Sequence, residues 1–205
     1  GSSTLTYLGG AIAPNGNSSS SATIEFWMKP PSNQGTGCCT RVFSQNYGFG
    51  DASNPLIVRY GGGGNFFLTV ANKSTPSSIT PTAGQWNHIA VVDSSGEWKL
   101  YVNGALSQTI PVATIGAGTT LTNGNFTIGG DVGGERFSGS ISNFRYVKGT
   151  AIYSGTFTPP TTALTAVSGT VILLNTNYDG TLATAQQDAS AAPITPTLNG
   201  SPAPT

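Results

Sequence analysis

Between residues 23 and 29 apolar and polar side chains alternate, so that Ile24, Phe26 and Met28 fall on one face of a strand and Glu25, Trp27 and Lys29 on the other. Pro30-Pro31 ends that strand, because proline cannot donate to a ladder. The same period predicts strands over 41–44, 56–60 and 66–71, with the glycines 61–64 turning between the last two. A run of three follows: 86–93, a Ser94-Ser95-Gly96 turn, 97–102 with Trp98, Leu100 and Val102 on one face, then the Asn103-Gly104 hairpin signal and 105–110. Strands over 125–128, 137–147, 171–174 and 195–198, and a first edge strand over 4–8, complete about a dozen. The Pro/Thr-rich stretch 158–168 is expected to cross one end of the sandwich in extended form. No window repeats apolar residues at helical spacing, and no apolar run approaches a membrane span. The pattern is that of an all-β chain forming a single domain over 1–205.

Composition sharpens the picture. Charged residues make up 8% of the chain, eight basic against eight acidic, and the formal net charge is zero. A phosphate-backbone binder needs a basic stripe, and a membrane-surface protein a polybasic one, so nucleic acid and membrane insertion are not expected. Twenty-eight glycines and thirteen prolines supply turns, while three Trp, seven Tyr and nine Phe supply a core.

The order of motifs is more specific than any one of them. TIEFWMKP at 23–30, QWNHIAVV at 85–92, WKLYVNG at 98–104, FTIGG at 126–130 and FSGSISNFRYVKGTAIY at 137–153 follow one another. This series resembles the laminin-G-like branch of the concanavalin A-like lectin/glucanase superfamily. The ending FTPPTTALTAVSGTVILL at 157–174 resembles the version found in phage and other virus-particle proteins and in bacterial surface proteins. The resemblance implies a two-sheet antiparallel jelly-roll sandwich whose first and last strands meet near one edge.

Candidate chemistry is sparse. Glucanases of the superfamily carry a Glu-x-Asp-x-x-Glu run, and none of Glu25, Glu97 and Glu135 opens one, so no enzyme is expected. Glu25 reads as an outward polar residue of a sheet. His88, the single histidine, groups by alternation with Trp86, Ala90 and Val92 and reads as a hydrogen-bonded sheet histidine. The glycine-rich run 129–134 leads into a strand rather than a helix, which removes a phosphate-loop reading. The resemblance implies calcium at a loop rim, and Asp131 and Asp51 are the candidate ligands; as turn formers, both also suit capping of their own backbone. No other cofactor is required.

Aromatic side chains offer a platform for a sugar ring, and Trp27, Tyr47, Phe49, Tyr60, Tyr146 and Tyr153 are the non-core candidates, whereas Trp86 and Trp98 are assigned to the core. Cys38 and Cys39 are neighbours, with Cα atoms about 3.8 Å apart, below the usual disulfide range. They are read as two thiols, a strained vicinal disulfide, or a bridge to another chain. Two functions follow as expectations. The first is a structural or attachment subunit of a virus particle, tail fibre or extracellular filament, partnered by copies of itself or other particle proteins. The second is a carbohydrate-binding lectin module of a larger surface protein, partnered by cell-surface glycans. Both place the domain on a virion surface or outside the cell.

Overall fold

The inward face that alternation assigns to residues 22–29 is fully buried: Ile24, Phe26 and Met28 expose nothing to solvent. A computed structural model describes residues 4–7, 21–32, 40–45, 56–61, 65–75, 77–116, 121, 126–131, 135–174 and 197–199. Its elements in chain order are β1 (Thr4–Tyr7), β2 (Ala22–Lys29), β3 (Thr40–Gln45), β4 (Leu56–Tyr60), β5 (Phe66–Val70), β6 (Lys73–Ser74) and β7 (Asn87–Ser94). They continue with β8 (Glu97–Val102), β9 (Ala105–Pro111), the one-turn helix α1 (Val112–Ile115), β10 (Phe126–Ile128), β11 (Ser140–Lys148), β12 (Thr170–Leu174) and β13 (Thr197–Asn199). Among the described residues no helix is long and apolar enough to cross a membrane.

The strands form two antiparallel sheets, one ordered β13-β1-β10-β3-β4-β5-β6 and the other β12-β11-β2-β7-β8-β9. Between them lies an aromatic stack. Phe26 stacks on Phe144 at 5.4 Å, Phe43 on Phe126 at 5.6 Å, and Phe126 on Tyr146 at 5.8 Å, which ties the two sheets together. Each such ring contributes about 1.5–3 kcal/mol on burial, with a further increment for offset or edge geometry. Strand β1 is not an edge, as its position in the chain suggested. It lies between β10 and β13, and the last strand takes the edge by pairing Leu5 with Leu198.

Both turns of the β7-β8-β9 meander place two residues at positive φ, Ser95 (53°) with Gly96 (75°) and Asn103 (51°) with Gly104 (81°). That conformation matches the twist of the flanking strands. Gly104 has a second reason to lack a side chain, since a Cβ there would strike the Phe157 carbonyl oxygen.

The stretch after β11 corrects an expectation. Residues 149–169 do not close one end of the sandwich but run as a strap over the outer face of the six-stranded sheet. Ala151, Tyr153 and Phe157 pack on Ala90, Val92 and Tyr101, the outward set of β7 and β8, as a second small apolar cluster. Without the strap these three buried side chains would face water.

Candidate functional site

Beside the strap a groove of about 550 Å³ opens on the same outer face, lined by Trp27, Trp86, Ser142, Asn143 and Pro160-Thr161-Thr162-Ala163. Trp27 stands on β2 directly opposite Ser142 of β11 and His88 of β7. Its indole meets the His88 ring at 5.4 Å, nearly edge-on. Trp86 immediately precedes β7 and is 45% exposed. Its backbone is fixed by the next residue: Asn87 donates through Nδ2 to the carbonyls of Thr82 and Gln85 at 2.9 and 2.8 Å and accepts from Thr82 N–H at 3.0 Å. Gly84 N–H closes the same turn onto the Pro30 carbonyl at 2.8 Å. An exposed indole on a locked turn is preorganised for contact. Opposite, the β11 register shifts between Ser142 and Arg145 and Asn143 takes a φ of 50°. A bulge of that kind re-aims a side chain, here a half-buried amide at the groove.

Beneath the groove and strap lies a buried polar cluster. Glu25 exposes nothing, and its carboxylate accepts four donors. Oε1 takes Arg145 Nε–H at 2.9 Å and the Nη2 of the same guanidinium; Oε2 takes the Tyr153 hydroxyl at 2.7 Å and His88 Nε2 at 3.2 Å. Burial pushes the Glu25 carboxyl up, but the hydrogen bonds from His88, Tyr153 and Arg145, with the Arg145 charge, hold it below its ordinary value. Burial and the same carboxylate raise the Tyr153 hydroxyl. His88 Nδ1 is buried without a partner, and Nε2 is the ring nitrogen that donates to the carboxylate. The charges of Glu25 and Arg145 cancel, as a buried pair requires.

Of the expected binding residues, Trp27 lines the groove and Tyr153 sits beside it, half-buried, with its hydroxyl on Glu25. Tyr60 and Tyr146 are core residues, at 4% and 0% exposure, and their rings offer no platform. Tyr146 shares the inward face of β11 with Phe144, and Tyr60 that of β4 with Leu56 and Val58. Trp98 is buried as expected, but Trp86 is not core. The alternation that sets Ile89 and Val91 inward puts Trp86, with His88, outside; that signal was legible and outweighed by the usual habit of tryptophan. Tyr47, Phe49, Asp51, Cys38 and Cys39 lie outside the described residues. Glu25 does point outward, yet it is sealed under the strap rather than solvated.

Asp131 is engaged within its own turn. Its Oδ1 accepts the Glu135 N–H at 2.9 Å, the turn-capping role, and its Oδ2 lies 3.1 Å from Arg41 Nε. The Arg41 Nη1 pairs in turn with Glu135. Among the described residues no three His, Cys, Asp or Glu side chains gather as a metal site.

Two antiparallel sheets closed on an aromatic core define a jelly-roll sandwich of the lectin type. The chain belongs to the Concanavalin A-like lectin/glucanases superfamily, whose laminin G family model matches residues 7–159. Among solved structures it is similar to a candidate carbohydrate binding protein from Bacteroides ovatus, at 18% identity and a TM-score of 0.64, over 97% of this chain and 58% of that one. It is also similar to a heptameric SAP-like pentraxin from Limulus polyphemus (21% identity, TM-score 0.46, 71% of this chain and 75% of the other). A third is domain 4 of an extracellular GH43 arabinanase from Geobacillus stearothermophilus, solved with arabinotriose (19% identity, TM-score 0.45, 67% and 66%). At 18% identity the likeness to the Bacteroides protein is one of fold. No curated protein matches the sequence.

Proposed function

We propose that this domain binds neutral glycans, without catalysis, in the groove between Trp27, Trp86 and the strap. One observation carries the reading: Trp86, a residue that ordinarily seeks burial, is 45% exposed on a hydrogen-bonded turn and shares a groove with a second tryptophan. A pyranose presents a patch of C–H groups to an indole and its hydroxyls to the sides. Ser142, Asn143, Thr161 and Thr162 supply hydroxyl and amide partners for them, and no lining residue carries a charge. The volume is in the range of small-molecule sites and suits a short oligosaccharide.

The carboxylate beneath the groove supports binding rather than hydrolysis. Glu25 is fully buried with both oxygens engaged, so it has no free lone pair directed at a substrate. The expectation of an attachment subunit on a particle or filament becomes, on this reading, a statement of how attachment works: the domain holds displayed sugar. A surface location, viral or cellular, follows from the same chemistry.

The test is an array of neutral and acidic glycans probed with the unmodified protein and with Trp86→Ala. Binding to neutral members that disappears in the variant is expected. Binding confined to acidic members, or indifferent to Trp86, would overturn the reading.

A further inference from the structure

One wall of the groove, Pro160 to Ala163, belongs to no strand. It is the exposed middle of the strap, and what fixes it lies out of the groove. On the near side Tyr153 donates to Glu25 at 2.7 Å. On the far side Arg145 Nη1 donates to the Thr165 carbonyl at 2.7 Å. Glu25 and Arg145 are themselves directly opposed across β2 and β11 and joined through Nε at 2.9 Å. Both attachments of the wall therefore meet in one ion pair. Leu164, 4% exposed beside Thr165, seats the far side further.

We propose that the Glu25–Arg145 pair is a clamp: two positioning residues that touch no ligand but assemble the groove by holding the strap at Tyr153 and Thr165. The inference rests on the glycan reading only for its binding consequence. Three features favour a clamp over simple core filling. The guanidinium divides its donors between the carboxylate and the strap carbonyl, so loss of either residue releases the wall. Other hydrogen bonds and the apolar packing that join the strap to the sheet lie ahead of the wall: Gly149 N–H to Ser21 O at 2.7 Å, Thr23 Oγ1 to Thr150 O at 3.0 Å, Ile152 N–H to Thr23 Oγ1 at 2.9 Å, Phe157 N–H to Gly104 O at 3.1 Å, and Ala151, Tyr153 and Phe157 on Ala90, Val92 and Tyr101. His88 also joins the pair to the groove, donating to Glu25 on one side and packing against Trp27 on the other. A strap that must be docked before the wall exists links docking to ligand, and that linkage is reciprocal.

The experiment measures amide exchange at Ile152 and Phe157 in the unmodified protein, Glu25→Gln and Tyr153→Phe, with the β7 and β8 amides as internal reference. Cellotriose, maltotriose and chitotriose are titrated in parallel. Tyr153→Phe removes one hydroxyl and keeps the ring stack on Phe157, so it keeps the test sound should Glu25→Gln fail to fold. The clamp predicts at least tenfold faster strap exchange in Tyr153→Phe with β7 and β8 unchanged. It also predicts at least tenfold weaker binding of whichever sugar the unmodified protein holds, and slower strap exchange in the unmodified protein when that sugar is saturating. Faster strap exchange with no sugar bound even by the unmodified protein would uphold the clamp and remove the glycan reading. Strap exchange unchanged in Tyr153→Phe, rising only together with β7 and β8, or rising with affinity intact, would overturn the clamp.

Discussion

The indole of Trp27 and the imidazole of His88, directly opposite on β2 and β7, meet edge to face at 5.4 Å. Through this contact the groove borders the buried cluster: one side of His88 packs on the candidate ligand surface and the other bonds the carboxylate beneath the strap.

The three tryptophans have different fates on truncation. Trp98 is 1% exposed, and Trp98→Ala is expected to cost about 3–5 kcal/mol in urea denaturation. Trp86→Ala is expected to stay within about 0.5 kcal/mol of the unmodified protein while losing glycan binding. A large stability loss for Trp86→Ala in the same denaturation series would mean that the ring packs rather than presents.

The buried pair predicts a large asymmetric effect. Glu25→Gln leaves Arg145 buried without its counter-charge and is expected to cost about 3–5 kcal/mol. Tyr153→Phe leaves the charges matched and removes one hydrogen bond to a carboxylate, so it is expected to cost less, about 1.5–3 kcal/mol. Calorimetric unfolding of the two variants checks the ratio.

Two acids give stability a dependence on pH with opposite signs. Asp93 is 2% exposed, its Oδ2 has no partner, and burial pushes its carboxyl from 3.8 up to about 7. Between those values the folded state holds a proton that the unfolded chain has released, so stability falls as pH rises from about 4 to about 7, by up to about 4 kcal/mol. Glu25 is held below its ordinary 4.5, so its contribution is complete above that value and is lost as pH falls through the lower folded value. Together they place the stability maximum on the acid side of neutrality. Urea midpoints from pH 3 to 8 should show it, and Asp93→Asn should remove the decline toward neutral pH.

Two glycines at similar φ distinguish strain from contact. At Gly96 (75°) a Cβ meets nothing within 4 Å, so Gly96→Ala carries only the left-handed penalty of about 1–2 kcal/mol. At Gly104 (81°) the same atom would strike the Phe157 carbonyl, so Gly104→Ala must also displace the strap. Proteolysis confined to 149–169 in Gly104→Ala, and absent in Gly96→Ala, is the expected signature.

Much of the fold was legible because a period of two over β2, β7 and β8 has only one reading when one face is apolar throughout. The ladder of Ile24, Phe26 and Met28 against Ile89, Val91, Leu100 and Val102 is the direct result. The strap was less legible, since its direction is set by long-range bonds such as Tyr153 to Glu25, 128 residues apart, and periodicity carries no such information. The site suffered for the same reason. Glu25 looked like a solvated sheet residue because the strap that buries it is not readable as structure, and Tyr146 was set outward by an alternation that the register shift between Ser142 and Arg145 interrupts, leaving it in the core with Phe144.

The most direct test of the glycan-binding groove is a titration of neutral oligosaccharides into the unmodified protein and Trp86→Ala, followed by tryptophan fluorescence and calorimetry. Glycan binding in the groove requires a saturable spectral change and heat with at least one neutral sugar, both lost in the variant while its unfolding curve is unchanged. Saturable binding that persists in Trp86→Ala, or its absence across the neutral series, would contradict it.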